Sequence, residues 1–285
     1  MPNIGLVLSG GMAKGAYQIG ALRAVNELFK PSDISCVSAA SVGALNAYLY
    51  LTNSSLDKGI EMWNSVSDGG TRPWVTTLLR SSFLQNAIKA MVSENEINNV
   101  FYVPLVNLRK RRLSYINFGK VPQEKMELHL RACVAMPIYN SAVLINGESY
   151  YDGALIDNIP IYPVLKHPID YIICIYFDTL NYTFENNYLD NKIIKMNFTD
   201  NKIVSNSVLF KGESIKYMLD EGYLRAKRIL QYVFTNGIND VDSIYSRITD
   251  LNAMNINRNL RITGDVAVNN MNRITKKFMK KPEIL

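Results

Sequence analysis

Residues 38–47 read SAASVGALNA. Just upstream, Ile34–Ser38 is a short apolar run of strand character, and just downstream Val42–Leu51 reads as a helix. Ser41 falls on the turn between them. A strand, a sharp turn bearing a serine and a helix together lift a hydroxyl above a sheet. Small residues are needed there because strand and helix approach closely. Gly43 meets that need, and Ala39 meets it with one extra methyl where a GxSxG elbow has its first glycine. The other reading makes Ser41 a helix N-cap, a common place for serine. The stretch alone leaves both open.

Working outward, Asn3–Leu8 is an apolar strand that ends in the turn Ser9–Gly10–Gly11, and Ala13–Phe29 carries an apolar helical face. After the turn Lys30–Asp33 comes the strand that leads to Ser41. Strand, helix, strand and helix in immediate succession predict an α/β fold: a central, mostly parallel sheet covered by helices. Residues 55–100 read as mostly helical. Phe101–Asn107 and Leu113–Phe118 read as strands flanking the basic turn Arg109–Arg112, and Pro122–Ala135 as a helix. Ser141–Ile145 and Glu148–Tyr151 form a hairpin about Asn146–Gly147, a strong turn dipeptide. Tyr171–Phe177 is a continuous apolar run suited to a strand buried on both faces. Beyond residue 180 the composition shifts toward Asn, Lys, Tyr and Ile, with Gly212–Phe234 as the clearest helix. The expected organisation is a core over 1–180, completed within the same domain by a helical portion over 181–285.

Hydrophobic content of 48% with 20% charged residues describes an ordinary globular chain, and no apolar run reaches the ~20 residues of a membrane span. The N-terminus lacks the basic start of a signal peptide. Cys36, Cys133 and Cys174 lie far apart in apolar stretches, which predicts reduced core thiols in an intracellular protein. With His129 and His167 the only histidines, no cluster has metal-ligand spacing, so no metal or cofactor is called for. His129 reads as a surface or packing residue and His167 as a loop residue. The net charge of +6 is concentrated at 269–285, where five basic residues face one acidic. Such a patch suits an anionic membrane or nucleic acid. Aromatic–basic interleaving and nucleic-acid motifs are absent, so nucleic acid is not an expected partner.

Two further segments bear on Ser41. In Leu8–Leu22, LSGGMAKGAYQIGAL, glycines between a strand and a helix N-terminus expose N–H groups at the positive end of a helix dipole. Either a tight turn or an anion site results. A phosphate-binding loop is excluded, because Ala16–Tyr17 stands where Lys–Ser/Thr would be required. In Tyr150–Pro160, YYDGALIDNIP, Asp152 ends the hairpin before Gly153, while Asp157 is a rival carboxylate beside Asn158.

Taken in order, SGGMAKG, AASVGALNA and DGALIDNIP resemble the patatin-like phospholipase family, with its SGGGxKG loop, GxSxG elbow continuing GALNA, and DGG or DGA motif. The stretches ACVAMPIYNSAVLINGESYYDGA and HPIDYIICIYF are also similar, so the resemblance covers roughly residues 3–178. It implies a three-layer α/β/α fold and a lipid acyl hydrolase, a phospholipase A above all, that works without histidine. Ser41 would be the nucleophile and Asp152 its base. The N–H groups of Gly10, Gly11 and Met12 would form the oxyanion hole, with Lys14, Gly15, Gly43 and Gly153 supporting the motifs. Met12 departs from the family's third glycine. Two variants share the fold: an acyltransferase using the same site, and an inactive lipid-binding protein. The expected partner is a phospholipid membrane surface, reached peripherally from the cytoplasm. As a helix, Met271, Ile274 and Phe278 with lysines between them would lie on an anionic interface, but a helix end packed on the core or a frayed basic tail is the favoured reading of this stretch. Whether a protein or small-molecule activator takes part, and whether the chain is a secreted bacterial effector, the resemblance leaves open.

Overall fold

The computed structural model describes residues 2–52, 56–67, 82–92, 95–137, 140–177, 191–198, 212–254 and 282–285. Among the described residues, nine strands form one mixed sheet: β1 Ile4–Leu8, β2 Ile34–Ala39, β3 Val100–Asn107, β4 Arg112–Asn117, β5 Val143–Ile145, β6 Glu148–Asp152, β7 Tyr171–Tyr176, β8 Ile193–Asn197 and β9 Glu283–Ile284. The main path runs β5-β6-β3-β2-β1-β7-β8. Its centre is parallel, with β1 between β2 and β7, while β4 and β6 pair antiparallel with β3. The described α-helices are α1 Gly15–Leu28, α2 Val42–Leu51, α3 Leu56–Ser67, α4 Ser82–Met91, α5 Gln123–Ala132, α6 Gly212–Val233 and α7 Val241–Met254.

Continuous apolar runs make the central strands because both faces of the sheet are covered. On β7, Tyr171, Ile173 and Ile175 join one core with Leu6, Leu22, Leu45 and Met218, while Ile172, Cys174 and Tyr176 join a second with Val7, Tyr115 and Val164. The first core lies under helices. The second is roofed mainly by residues 155–169, which carry short 3-10 turns, so the third layer is thin on this side. All three cysteines are buried and free.

Helix α2 is buried at all ten positions, so it is an internal helix rather than a surface one. Helices α1 and α6 touch through their backbones. A Cβ on Gly20 would sit 2.0 Å from the Leu219 carbonyl oxygen, and one on Gly222 would sit 2.2 Å from that of Tyr17. The hairpin forms as its dipeptide predicts: Asn146 and Gly147 both take positive φ, 50° and 79°, the geometry of a two-residue type I′ turn.

Beyond residue 180 the described residues form helices α6 and α7 and add two short strands, β8 beside β7 and β9 beside β4. At β9, Glu283 accepts from Arg112 Nη1 at 2.7 Å and from Ser114 Oγ at 2.9 Å. This end of the basic tail is therefore tied to the sheet. Met271, Ile274 and Phe278, with the basic residues from Arg273 to Lys281, lie outside the described residues. Among the described residues, no helix is long and apolar enough to cross a membrane.

Candidate active site

The turn after β2 is strained at one residue. Ser41 adopts φ 54° and ψ −131°, a conformation that costs an L-residue about 1–3 kcal/mol. Neighbouring hydrogen bonds hold it there: Ala40 N–H donates to Leu8 O at 3.0 Å, Gly43 N–H to Ala40 O at 2.9 Å and Ala44 N–H to Ser41 O at 2.9 Å. Helix α2 folds straight back over β1, so closely that a Cβ on Gly43 would lie 2.6 Å from the Ser9 carbonyl oxygen. That contact explains the small residues of the motif. Ser41 occupies the N-cap position without donating or accepting a capping bond through its side chain. The N-cap reading therefore fails, and the hydroxyl is left at the positive end of the α2 dipole.

Asp152 ends β6 and is completely buried. Its N–H donates to Ala135 O at 2.8 Å, and its Oδ1 accepts from Ala154 N–H at 2.8 Å. Its Oδ2 is buried without a hydrogen-bond partner. Burial pushes the Asp152 carboxyl up from 3.8 to about 7, because the charged form loses its water. The Ser41 hydroxyl and the Ala154 N–H pull the other way. Ser41 is thus near enough to act on the carboxylate, although its hydroxyl completes no bond to Oδ2. Burial, reinforced by the Asp152 charge, holds the Cys133 thiol well above its usual range, so it forms an inert wall beside the carboxylate.

The remaining titratable groups of the sequence reading are engaged elsewhere. Asp157 Oδ2 accepts from Tyr115 OH at 2.6 Å. His129 is buried against Phe118, with its Nδ1 2.8 Å from Lys125 O. His167 Nε2 lies 3.3 Å from Tyr102 OH.

The glycine loop crosses the top of β1 beside Ser41. Gly10 departs from its expected role as an oxyanion donor. Its N–H is already bonded to Asn158 O at 3.1 Å, since the loop docks edge-on against the Asp152–Asn158 turn. For the N–H groups of Gly11 and Met12 no acceptor occurs among the described residues. Met12 takes φ 53° at the start of a 3-10 turn, Met12–Lys14, and its side chain is 40% exposed, so it points outward instead of filling the loop. Lys14 closes the turn through its N–H, which donates to Gly11 O at 3.1 Å. Gly15 packs against Trp63 and Val42, and Gly153 against the Pro104 backbone.

Residues that the motif reading overlooked hold these parts together. Gln18 Nε2 donates to Ser9 O at 2.7 Å, and Asn46 Nδ2 donates to Gln18 Oε1 and Gly15 O, both at 2.9 Å. Both side chains are fully buried, so the network locks the loop to α1 and α2. A lone polar residue within an apolar run of each helix, 15–22 and 42–51, was the available signal. Asn158 adds a second bond to the loop, from Nδ2 to Gly10 O at 3.1 Å. Ala135 also lines a groove of about 320 Å³, with Leu128, Arg131, Val134, Val143 and Leu144 among others.

Residues 6–165, more than half of the chain, match the family described as patatin-like phospholipase. The chain belongs to that family. Curated relatives include the lysophospholipase NTE1 of Cryptococcus neoformans, 26% identical over 207 residues, and that of Aspergillus terreus, 27% identical over 173. These matches span 66% and 56% of this patatin-like chain but only 12% and 11% of the relatives' lengths. Among solved structures, VipD from Legionella pneumophila aligns with TM-score 0.49 at 14% identity, covering 81% of this chain and 67% of VipD. The ExoU–SpcU complex of Pseudomonas aeruginosa aligns with TM-score 0.41 at 14% identity, covering 89% and 59%.

Proposed function

We propose that this patatin-like protein is a phospholipid acyl hydrolase of phospholipase A or lysophospholipase type, with Ser41 as nucleophile and Asp152 as its base. The observation that carries the reading is the Asp152 carboxylate. It is fully buried, pushed up to about 7, and has an unpartnered Oδ2 with the Ser41 hydroxyl alongside. An ordinary aspartate is too weak a base at neutral pH, and a value near the working pH removes that objection to a site without histidine.

In this mechanism Ser41 Oγ attacks the ester carbonyl carbon and its proton passes to Asp152 Oδ2. The carbonyl oxygen becomes an oxyanion, which the N–H groups of Gly11 and Met12 receive beside the positive end of α2. Collapse breaks the ester bond. The leaving alcohol, a lysophospholipid or, from a lysophospholipid, a glycerophosphodiester, takes the proton back from Asp152. Water then attacks the acyl-Ser41 ester, again giving its proton to Asp152, and a free fatty acid departs as Ser41 is reprotonated. The strained Ser41 backbone keeps Oγ at the mouth of the site throughout. Acyl transfer to another alcohol would follow the same steps, with that alcohol replacing water. Membrane phospholipid is the proposed partner, met at the bilayer surface.

Fatty-acid release from vesicles of mixed phospholipids and from lysophospholipid micelles tests the reading. Release is expected from the wild type, in the presence of chelator, and from neither Ser41→Ala nor Asp152→Asn. Activity surviving in folded Ser41→Ala would remove Ser41 from the chemistry.

A further inference from the structure

Gly10 and Gly11 are joined by a peptide whose two faces do opposite work. A trans peptide is planar, so the Gly10 carbonyl and the Gly11 N–H point in opposite directions. With glycine on both sides, rotating this plane by half a turn meets little steric resistance. One orientation offers an N–H to the substrate oxygen, and the other offers a carbonyl that would repel it. Something outside the loop must choose.

Asn158 makes contact at the two points that matter. Its backbone oxygen accepts the Gly10 N–H at 3.1 Å, and its Nδ2 donates to Gly10 O at 3.1 Å. Two consecutive peptide planes are thereby pinned by one residue 148 positions away in the chain. The packing is tight at the same point. A Cβ on Gly10 would lie 2.4 Å from Asn158 Oδ1 and 2.9 Å from Ser41 Cβ, so loop, clamp and serine meet at one Cα.

Resting on the Ser41–Asp152 reading, we infer that Asn158 is a positioning residue that holds the Gly10–Gly11 peptide with its N–H available to the oxyanion. Asn158 does not touch the reacting atoms. It acts through Gly11. Its place in the chain gives the arrangement a further property. Asp152 and Asn158 begin and end one turn, braced inside by Asp157 N–H donating to Gly153 O at 2.9 Å and outside by Tyr115. Base and oxyanion loop are therefore registered to each other by the same short segment.

Asn158→Asp is the decisive variant. It is nearly isosteric and keeps the backbone bond to Gly10, but it puts a carboxylate oxygen against the Gly10 carbonyl and so favours the flipped plane. With full-length protein and a soluble acyl ester, kcat should fall on the order of 10²-fold while KM stays within about threefold, the size of losing one oxyanion donor. Asn158→Ala, which removes the donor without adding a charge, should lose roughly tenfold. The matching thionoester separates positioning from general damage, because sulfur accepts hydrogen bonds poorly. The oxygen-to-sulfur rate ratio should shrink in both variants, whereas a merely structural role would slow both esters alike. An unchanged ratio, or a wild-type kcat in Asn158→Asp, overturns the clamp while Ser41→Ala remains inactive. Turnover that persists in Ser41→Ala overturns the site reading and the clamp with it.

Discussion

Asp152 and Asp157 lie on the same turn, and burial does not separate them, since 0% and 3% of their surfaces reach solvent. Partners do. Asp157 is met by the Tyr115 hydroxyl at 2.6 Å, whereas Asp152 has one oxygen bonded to Ala154 N–H and the other left without a partner. A buried carboxylate with its lone pairs answered is a structural brace. One with an oxygen left open and a serine alongside is a proton acceptor in waiting. Read alone, the segment offered both as candidates; the motif resemblance picked Asp152, and the tertiary neighbours supply the physical reason.

The largest expected effect is on turnover. Asp152→Asn and Ser41→Ala should each lower kcat on the order of 10⁴-fold or more, as loss of a nucleophile or its partner does elsewhere, while Asp157→Asn should keep measurable turnover. Comparable collapse in all three would erase the distinction between the two carboxylates. The same difference predicts a pH profile. Asp152 accepts a proton only when ionised, so kcat/KM should climb with pH and reach half its plateau near 7, where the burial-raised carboxyl titrates. A midpoint near 4 would mean that the site is wetter than its geometry.

Next comes a stability effect of opposite sign to the activity loss. The folded Asp152 carboxyl titrates at about 7 against 3.8 for the free group, so the folded state holds the proton more tightly than the unfolded chain. The stability it contributes is complete below about pH 4 and is lost as pH rises through about 7. Asp152→Asn does not titrate. It should therefore gain on the wild type between these values and stand a few kcal/mol more stable at pH 8 by urea unfolding. Parallel stability curves for the two proteins would show that Asp152 is not penalised by burial. At Asp157 the sign reverses. Tyr115→Phe removes the hydroxyl from a buried carboxylate and should cost about 1–3 kcal/mol, with kcat kept within about tenfold. A larger loss in kcat than in stability would move Tyr115 into the catalytic apparatus.

What could be read in advance follows the same division between local and distant. The strands β1, β3 and β7 are nearly continuous apolar runs because both faces are covered, and that pattern is written in the residues themselves. The turn at Asn146–Gly147 was legible because two positive-φ positions in succession select that dipeptide. Strand β9 was not. It has two residues and exists through β4, whose Ser114 is 169 positions from Glu283. The β8 segment IIKMN is too short to declare itself among lysines and asparagines. At the site, the order of the three motifs named Ser41, Asp152 and the glycine loop. The motifs did not reveal that the Gly10 N–H is spent on Asn158, or that Gln18 and Asn46 lock the loop, because these bonds join segments with no local signature.

The smallest predicted effect concerns the residue that most departs from the family's glycine pattern. Met12 sits at φ 53°, where a side chain costs about 1–2 kcal/mol. Met12→Gly would relieve that strain but would loosen the unfolded chain by about 0.4–1 kcal/mol, so the two terms partly cancel and stability should rise by no more than about 1.5 kcal/mol. The N–H at position 12 survives the change. If the backbone already has the shape that glycine would take, kcat should stay within about threefold and only contacts of the exposed thioether with an acyl chain should be lost, seen as a higher KM for long-chain esters. A rise in kcat of tenfold or more would reverse this. It would mean that Met12 distorts the oxyanion loop, leaving the buried carboxylate better prepared for catalysis than the loop that serves it.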